Sequence, residues 1–100
     1  MDKFANVFPL GQPRALIWKG LYQWLTGDVR QAYALWQSGL SVAQQQALPY
    51  DQALAHYELG RHLKIDKPAR LQHLQQALDM FDQLGAVYER TAVQSALDES

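Results

Sequence analysis

The chain has 100 residues, of which 48% are hydrophobic and 19% are charged, and its formal net charge at pH 7 is −1. This length and composition fit one small folded domain, and the near-neutral charge excludes the strongly basic balance of a dedicated nucleic-acid-binding protein. Without cysteine, the chain has no disulfide, thiolate metal ligand or cysteine nucleophile. No run is apolar enough for a membrane span and no signal-peptide pattern is present, which predicts a cytoplasmic protein without membrane contact.

Proline and glycine divide the chain into an N-terminal segment and five helices. Pro9, Gly11 and Pro13 mark residues 1–12 as irregular. The later breaks are Gly27-Asp28, Pro49, Pro68 and Gly85. Between them, good helix formers dominate and no strand pattern occurs. These signals predict helices near residues 13–26, 28–47, 50–65, 68–84 and 86–98.

Capping residues support these boundaries. Gly27 suits a left-handed end of the first helix, and Asp28 with Gln31 forms a capping box for the second. Asp66 with Pro68 repeats that start signal for the fourth helix. Because the connections are short, neighbouring helices are expected to run antiparallel.

Apolar side chains in the helical segments recur at the spacing of a buried helix face. In the fourth segment they are Leu71, Leu74, Leu78 and Phe81. Trp36 and Phe81 are predicted to lie in the core. Gly20, Gly39 and Gly60 lie inside predicted helices, where each is less favourable than alanine by about 1 kcal/mol. These three positions therefore predict close contact between helices.

A repeat is visible in this pattern. The tetratricopeptide repeat reads W-x2-L-G-x2-Y, then A-x3-F, then P. The residues of segment 13–46 that fit it are Leu16, Gly20, Ala32 and Trp36, whereas Lys19 and Gln23 depart from it. A second unit runs from Gly60 to Ala77 in 17 residues, two fewer than separate Gly20 from Gly39. The repeats are therefore divergent.

The predicted fold is all-α, with antiparallel helix pairs in a right-handed superhelical, tetratricopeptide-like array of about five helices. Residues 13–98 are predicted to form a single helical-repeat domain, with two divergent helix-hairpin repeats and a C-terminal capping helix. At least three repeats are usually needed for a stable array. We therefore expect the N-terminal segment or a second chain to cover an open end, and a homodimer with an isologous two-fold contact is one such arrangement.

Three stretches resemble the C-terminal helical-repeat region of large bacterial signalling ATPases. They are PRAL at 13–16, LPYDQALAHYELGRHL at 48–63 and ALDMFDQLGAVYE at 77–89, and the similarity covers most of residues 9–97. In that family a nucleotide-binding domain accompanies a nucleotide cyclase, kinase or transcriptional-regulator module. The resemblance implies a sensor or protein-interaction segment. No G-x-x-x-x-G-K-[ST] loop occurs, so no ATPase or cyclase activity carries over.

No constellation of catalytic or metal-ligating residues is visible. His56 and His62 are six residues apart, which places them nearer opposite than adjacent faces of a helix, and no His-Glu-x-x-His pattern occurs. The serines lie outside any G-x-S-x-G motif. The sequence therefore predicts a protein that is not an enzyme, with no cofactor and no metal.

One basic run leaves two interpretations open. It consists of Arg61, His62, Lys64, Lys67 and Arg70, interrupted by Asp66, whereas residues 79–100 carry an acidic excess. The run is either a solvated turn after a helix or an anion site for an acidic peptide or a terminal carboxylate. Nucleic acid is less favoured, because phosphate binding needs more positive charge.

The first helix of each tetratricopeptide hairpin supplies the concave surface, which defines a candidate partner-binding site. Its residues are Ile17, Leu21 and Trp24 from the first helix and Tyr57, Arg61 and Lys64 from the third. An apolar floor beside two cations suits an amphipathic or acidic peptide. The predicted function is a protein–protein interaction scaffold that binds a peptide, a neighbouring domain or a second copy. The alternative is a small-molecule sensor that holds an apolar ligand between helices, among the tryptophans.

Overall fold

The computed structural model describes residues 12–99, and over this range the protein consists of five α-helices and no strands. The helices are α1 (Gln12–Leu25), α2 (Val29–Gln45), α3 (Pro49–His62), α4 (Pro68–Leu84) and α5 (Val87–Asp98). The all-α prediction is confirmed, and the predicted helix bounds differ from these by at most three residues. Of the predicted irregular segment 1–12, only Gln12 lies within the described residues, and it begins α1.

The predicted caps are confirmed in part. Gly27 has a φ of +96°, as a left-handed helix end requires. The backbone N–H of Gln31 donates to Asp28 Oδ1 at 3.1 Å, but the N–H of Asp28 donates to Gln23 O at 2.8 Å rather than to the side chain of Gln31, so only half of the predicted capping box forms. Asp66, however, does not cap α4. Lys67 takes the N-cap position in an extended conformation without a side-chain capping bond, because Pro68 at the first helical position keeps the preceding residue out of the helical region.

α3 ends three residues earlier than predicted, and Arg70 accounts for its end. This arginine is only 4% exposed, and its guanidinium donates to the carbonyl oxygens of Arg61 at 3.2 Å and Leu63 at 3.0 Å. It also donates to Gly60 O at 3.3 Å and, across to α5, to Ala96 O at 3.2 Å. Carbonyls at the end of α3 thus bind a side chain, and the backbone becomes extended at Leu63.

The three interior glycines lie where helices touch, as predicted. A Cβ at Gly20 would lie 2.6 Å from Cδ1 of Trp36, and one at Gly60 would lie 2.8 Å from Cγ of Leu74. A Cβ at Gly39 would lie 3.2 Å from the carbonyl oxygen of Pro13. Pro13 lies at the start of α1 and Gly39 lies in the second half of α2, so these two helices are antiparallel. Arg70, near the start of α4, contacts Arg61 O near the end of α3, so these two helices are antiparallel as well.

Two cores run through the array and meet at α3. The first contains Ile17, Ala32, Trp36, Leu40, Ala55 and Leu59. The second contains Ala53, Leu74, Ala77, Phe81, Val93 and Ala96. Trp36 and Phe81 are fully buried, which confirms their assignment to the core.

The first, third and fifth helices lie side by side in parallel. Arg14 binds Asp51 near the N-terminal ends of α1 and α3, and the ring of Trp24 contacts that of His62 near their C-terminal ends. Tyr50 of α3 likewise contacts Glu89 of α5 near their N-terminal ends. This parallel arrangement places the side chains of three helices around one groove.

Candidate interaction groove

α1, α3 and α5 enclose an open cavity of about 390 Å³, which we call the α1/α3/α5 groove. Ile17, Leu54 and Phe81 form its apolar floor. At its rim, Trp18 is 65% exposed and Tyr88 is 82% exposed. The groove is therefore an apolar depression between two exposed aromatic rings.

Helical spacing explains why each helix presents an apolar stripe to this groove. On α3 the stripe consists of Tyr50, Leu54 and Tyr57, at i, i+4 and i+7. α1 contributes Ile17 and Leu21, four residues apart. α5 contributes Tyr88 and Ala92 at the same spacing. Because the helices are parallel, the three stripes face each other along the groove.

Polar contacts join the three helices at one end of the groove. Arg14 donates from Nη2 and Nε to Oδ1 of the buried Asp51, at 2.7 and 3.1 Å. The guanidinium of Arg14 also lies 5.2 Å from the centre of the Tyr50 ring, within the range of a cation–π contact. The hydroxyl of Tyr50 in turn donates to Glu89 Oε2 at 2.6 Å. This hydrogen bond raises the pKa of Tyr50 and lowers the pKa of Glu89.

A second ion pair lies farther along α3. Nε of Arg61 donates to Glu58 Oε1 at 2.8 Å, and the guanidinium lies 5.3 Å from the centre of the Tyr57 ring. Burial raises the pKa of Glu58, and the hydrogen bond from Arg61 opposes that shift. The carboxylate and the cation thus bind each other within this chain.

Three of the predicted site residues lie together in the groove. Ile17 is at its floor, and Leu21 and Tyr57 are on its walls. Arg61 lies just outside, in an adjoining cleft that Tyr57 and Glu99 also line.

Two predicted site residues lie elsewhere. The ring centre of Trp24 is 4.4 Å from that of His62 and 6.0 Å from that of Tyr33, so it packs at the other end of α1 from the groove. Lys64 lies two residues beyond the end of α3 and is exposed in the connection to α4. The basic run is also dispersed, because Arg70 is buried against backbone carbonyls.

Aromatic rings fill the space beside Trp24. The ring centres of Trp36 and His62 are 4.6 Å apart in a stacked arrangement, and Trp36 Nε1 donates to Ile17 O at 3.1 Å. The hydroxyl of Tyr33 donates to the carbonyl oxygen of His62 at 2.6 Å. Burial lowers the pKa of His62, which favours the neutral imidazole in this cluster. These contacts occupy the region in which the sensor alternative placed a ligand.

The sequence-based site missed residues from both sides of the groove. Tyr50 and Leu54 share the face of Tyr57, and their i, i+4, i+7 spacing would have identified them. Tyr88 and Ala92 were missed because the last helix was assigned as a cap. If it had been treated as the first helix of a further pair, its own i, i+4 stripe would have placed it beside α3.

His56 pairs with His73, not with His62. Their Nδ1 atoms are 2.9 Å apart and their ring centres 5.2 Å apart, so the rings meet nitrogen to nitrogen. One imidazole donates a proton and the other accepts it. A tetrahedral metal ion bound to both nitrogens at about 2.0–2.1 Å would hold them about 3.3 Å apart, so the observed 2.9 Å is the separation of a hydrogen bond. Burial lowers the pKa of His56 to about 4.

Within residues 12–99, no three histidine, aspartate or glutamate side chains are grouped so that they could hold a metal ion. No helix in this range is both long and apolar enough to cross a membrane. Comparison with protein-family models, with curated proteins and with solved structures finds no match for this chain. The chemistry of the groove itself is therefore the basis for a functional proposal.

Proposed function

We propose that this chain is a non-enzymatic protein-interaction scaffold, in which the α1/α3/α5 groove receives a short apolar segment of a partner protein or a neighbouring domain. The observation that carries the proposal is the apolar floor between two exposed rings, Trp18 and Tyr88. Aromatic side chains that stay exposed beside a concave apolar surface are characteristic of binding sites.

The charged groups of the groove favour an uncharged, apolar contact. Arg14, Glu58 and Glu89 each have a hydrogen-bond partner within this chain, so a charged ligand would have to compete with these contacts. An acidic peptide, which one of the two interpretations of the basic run favoured, would find Arg61 already paired and Lys64 outside the groove. A segment with two or three apolar side chains on one helical face can contact floor and rim without breaking these bonds.

The biological setting in this proposal comes from the sequence resemblance. The stretches at 48–63 and 77–89 are similar to the helical-repeat region of bacterial signalling ATPases. On that basis, the scaffold is a regulatory or sensor segment of a bacterial signal-transduction protein, in the cytoplasm. The parallel first helices of successive hairpins support this tetratricopeptide-like interpretation, since this arrangement builds the concave face of such arrays.

A second candidate function, sensing of a small apolar molecule, is favoured by the cavity volume. About 390 Å³ falls within the range of small-molecule sites. The ligand would then lie against Leu21 and Tyr57 rather than among the buried tryptophans.

Peptide selection tests the scaffold proposal. A random 12-residue phage library is panned on the immobilised chain, and enriched peptides are synthesised with a fluorophore for anisotropy measurements. We expect enriched sequences with apolar residues at i and i+3 or i+4. Trp18→Ala and Tyr88→Ala should each weaken binding at least tenfold. Leu71→Ala is the matched control, because Leu71 is an exposed apolar residue of α4 outside the groove.

The outcomes separate the two candidates. Equal binding to wild type and to both rim variants would contradict the scaffold proposal, as would a selection without an apolar pattern. An NMR screen of apolar fragments is run on the same variants. If fragments bind wild type but not Trp18→Ala, while no peptide is enriched, the small-molecule function replaces the scaffold.

A further inference from the structure

The exposed large apolar side chains gather at the two ends of the helix array. Within residues 12–99, seven of the nine belong to these ends. Trp18, Tyr22, Leu25 and Val29 form the N-terminal edge. Leu84, Val87 and Tyr88 form the C-terminal edge. Neither edge is explained by the groove alone, because only Trp18 and Tyr88 line it.

The N-terminal edge is a continuous stripe along α1. Trp18, Tyr22 and Leu25 lie at i, i+4 and i+7, so they share one face, opposite the face that packs on α2. Leu25 is 82% exposed. A helix in a folded domain usually has one apolar face, directed at the core, and a second one is typical of an interface.

The two ends also differ in charge. Residues 12–47 contain three cations (Arg14, Lys19 and Arg30) and one anion, Asp28. Residues 79–99 contain five carboxylates (Asp79, Asp82, Glu89, Asp98 and Glu99) and one cation, Arg90. Arg14 is paired with Asp51, and Arg90 with Asp82. Lys19 and Arg30 against Asp28 still leave the α1 end positive, and the other four carboxylates leave the α5 end negative, so the two ends of separate copies attract each other.

We propose that a second copy of this chain covers the N-terminal edge, and that its C-terminal edge packs on the α1 stripe. Copies then join head to tail, with apolar side chains at the centre of the contact and opposite charges around it. The isologous arrangement, α1 against α1, would instead bring Lys19 and Arg30 of both copies together, which is unfavourable. A head-to-tail contact leaves one free edge at each end, so it continues into longer chains or closes into a ring.

The contact has a modest size. One helix of 14 residues is about 21 Å long, so helix-on-helix packing lies at the small end of stable interfaces. We therefore expect association in the range of ~10–100 μM, weakened by salt because the flanking charges are exposed.

Two variants, each blocking one edge, test the proposal by sedimentation velocity from about 10 μM to 1 mM. Leu25→Glu places an anion in the N-terminal edge, and Val87→Glu places one in the C-terminal edge. Both side chains are largely exposed and neither lines the groove, so the fold and the lining of the groove stay intact. Leu71→Glu, on α4, is the matched control and should associate like wild type.

The mixing experiment decides between arrangements. For wild type we expect a mass that grows beyond a dimer with concentration and falls as salt is raised. Each edge variant alone should be a monomer, and an equal mixture of the two should form a heterodimer and nothing larger. If Val87→Glu alone still forms a dimer, the contact is isologous and the proposal is wrong. The proposal is also wrong if wild type stays monomeric at 1 mM, or if Leu25→Glu alone associates as strongly as wild type alone.

Discussion

Replacement of Arg70 by methionine should destabilise the fold more than the loss of any exposed charge. Arg70 donates to Gly60 O and Ala96 O in fully buried surroundings, and to Arg61 O and Leu63 O in partly buried ones. It therefore joins the end of α3 to α5. Methionine keeps an unbranched, flexible apolar side chain, shorter than that of arginine, and donates no hydrogen bond.

The expected loss of stability in Arg70→Met follows from the two buried hydrogen bonds. A hydrogen bond to a charged group contributes about 1.5–3 kcal/mol, and the two buried bonds dominate because water can replace the partly buried ones. Removal of a buried guanidinium also removes its desolvation penalty, which offsets part of this loss. The expected net destabilisation is about 3 kcal/mol. For a domain of this size that lowers Tm by about 12–24 °C.

Urea denaturation followed by circular dichroism measures this change. Arg30→Met is the matched control, because Arg30 is exposed on α2, and its unfolding free energy should stay within about 0.5 kcal/mol of wild type. Arg70→Lys should be intermediate, since a lysine ammonium cannot match the spread of a guanidinium. If Arg70→Met is within about 1 kcal/mol of wild type, Arg70 does not hold the end of α3.

The remaining predictions concern the contact between α3 and α4. Gly60→Ala should cost about 2–3 kcal/mol in urea denaturation, because its Cβ would meet Leu74 Cγ at 2.8 Å and Leu74 N at 3.1 Å. Gly27→Ala is the control, because Gly27 has a positive φ but no atom of the described residues near the position that an added methyl group would take, and it should lower the free energy of unfolding by only about 1 kcal/mol. If both variants lose the same stability, contact with Leu74 does not explain the effect at Gly60. The pKa of His56, about 4 against an ordinary 6.5, means that the folded state favours neutral His56. The contribution of neutral His56 to the free energy of unfolding is therefore complete above pH 6.5 and is lost as the pH falls towards 4. The loss amounts to up to about 3 kcal/mol. His56→Gln should flatten the stability profile over this window, and an unchanged slope would show that His56 is not buried as a neutral group.

The helices were predictable because their signals are local. Gly27, Asp28 and Pro68 act within one helical turn of their own position, and apolar spacing identifies the buried face of each helix. Contact at Gly60 was predictable for a related reason, since glycine inside a helix is unfavourable unless another helix comes close. Trp36 and Phe81 were predictable as core residues because each is a large apolar side chain at the helical spacing of a buried face.

The roles of the charged and polar residues were less predictable. Arg70 looks like its exposed neighbours in the basic run, because sequence alone does not show which arginine faces backbone carbonyls from another helix. The pairing of His56 with His73 depends on the register of α3 against α4 for the same reason. Trp24 lies on the same face of α1 as Ile17 and Leu21, but nearer the C-terminal end of the helix, beyond the groove. Such differences depend on three-dimensional packing rather than on spacing within one helix.

α5 connects the groove with the proposed association surface. Glu89 binds Tyr50 beside the groove, Ala96 accepts from Arg70, and Val87 belongs to the C-terminal edge. A peptide between Trp18 and Tyr88 would bridge α1 and α5, and at 100 times its Kd it would stabilise the fold by about 2.7 kcal/mol. Because one helix serves both surfaces, peptide binding and self-association are expected to be coupled. Linkage then requires the factor by which peptide changes the association constant to equal the factor by which association changes peptide affinity. Because Trp18 and Tyr88 belong both to the groove and to the edges, we expect this factor to be below one. Peptide affinities of wild type and Val87→Glu, compared at high protein concentration, measure that factor.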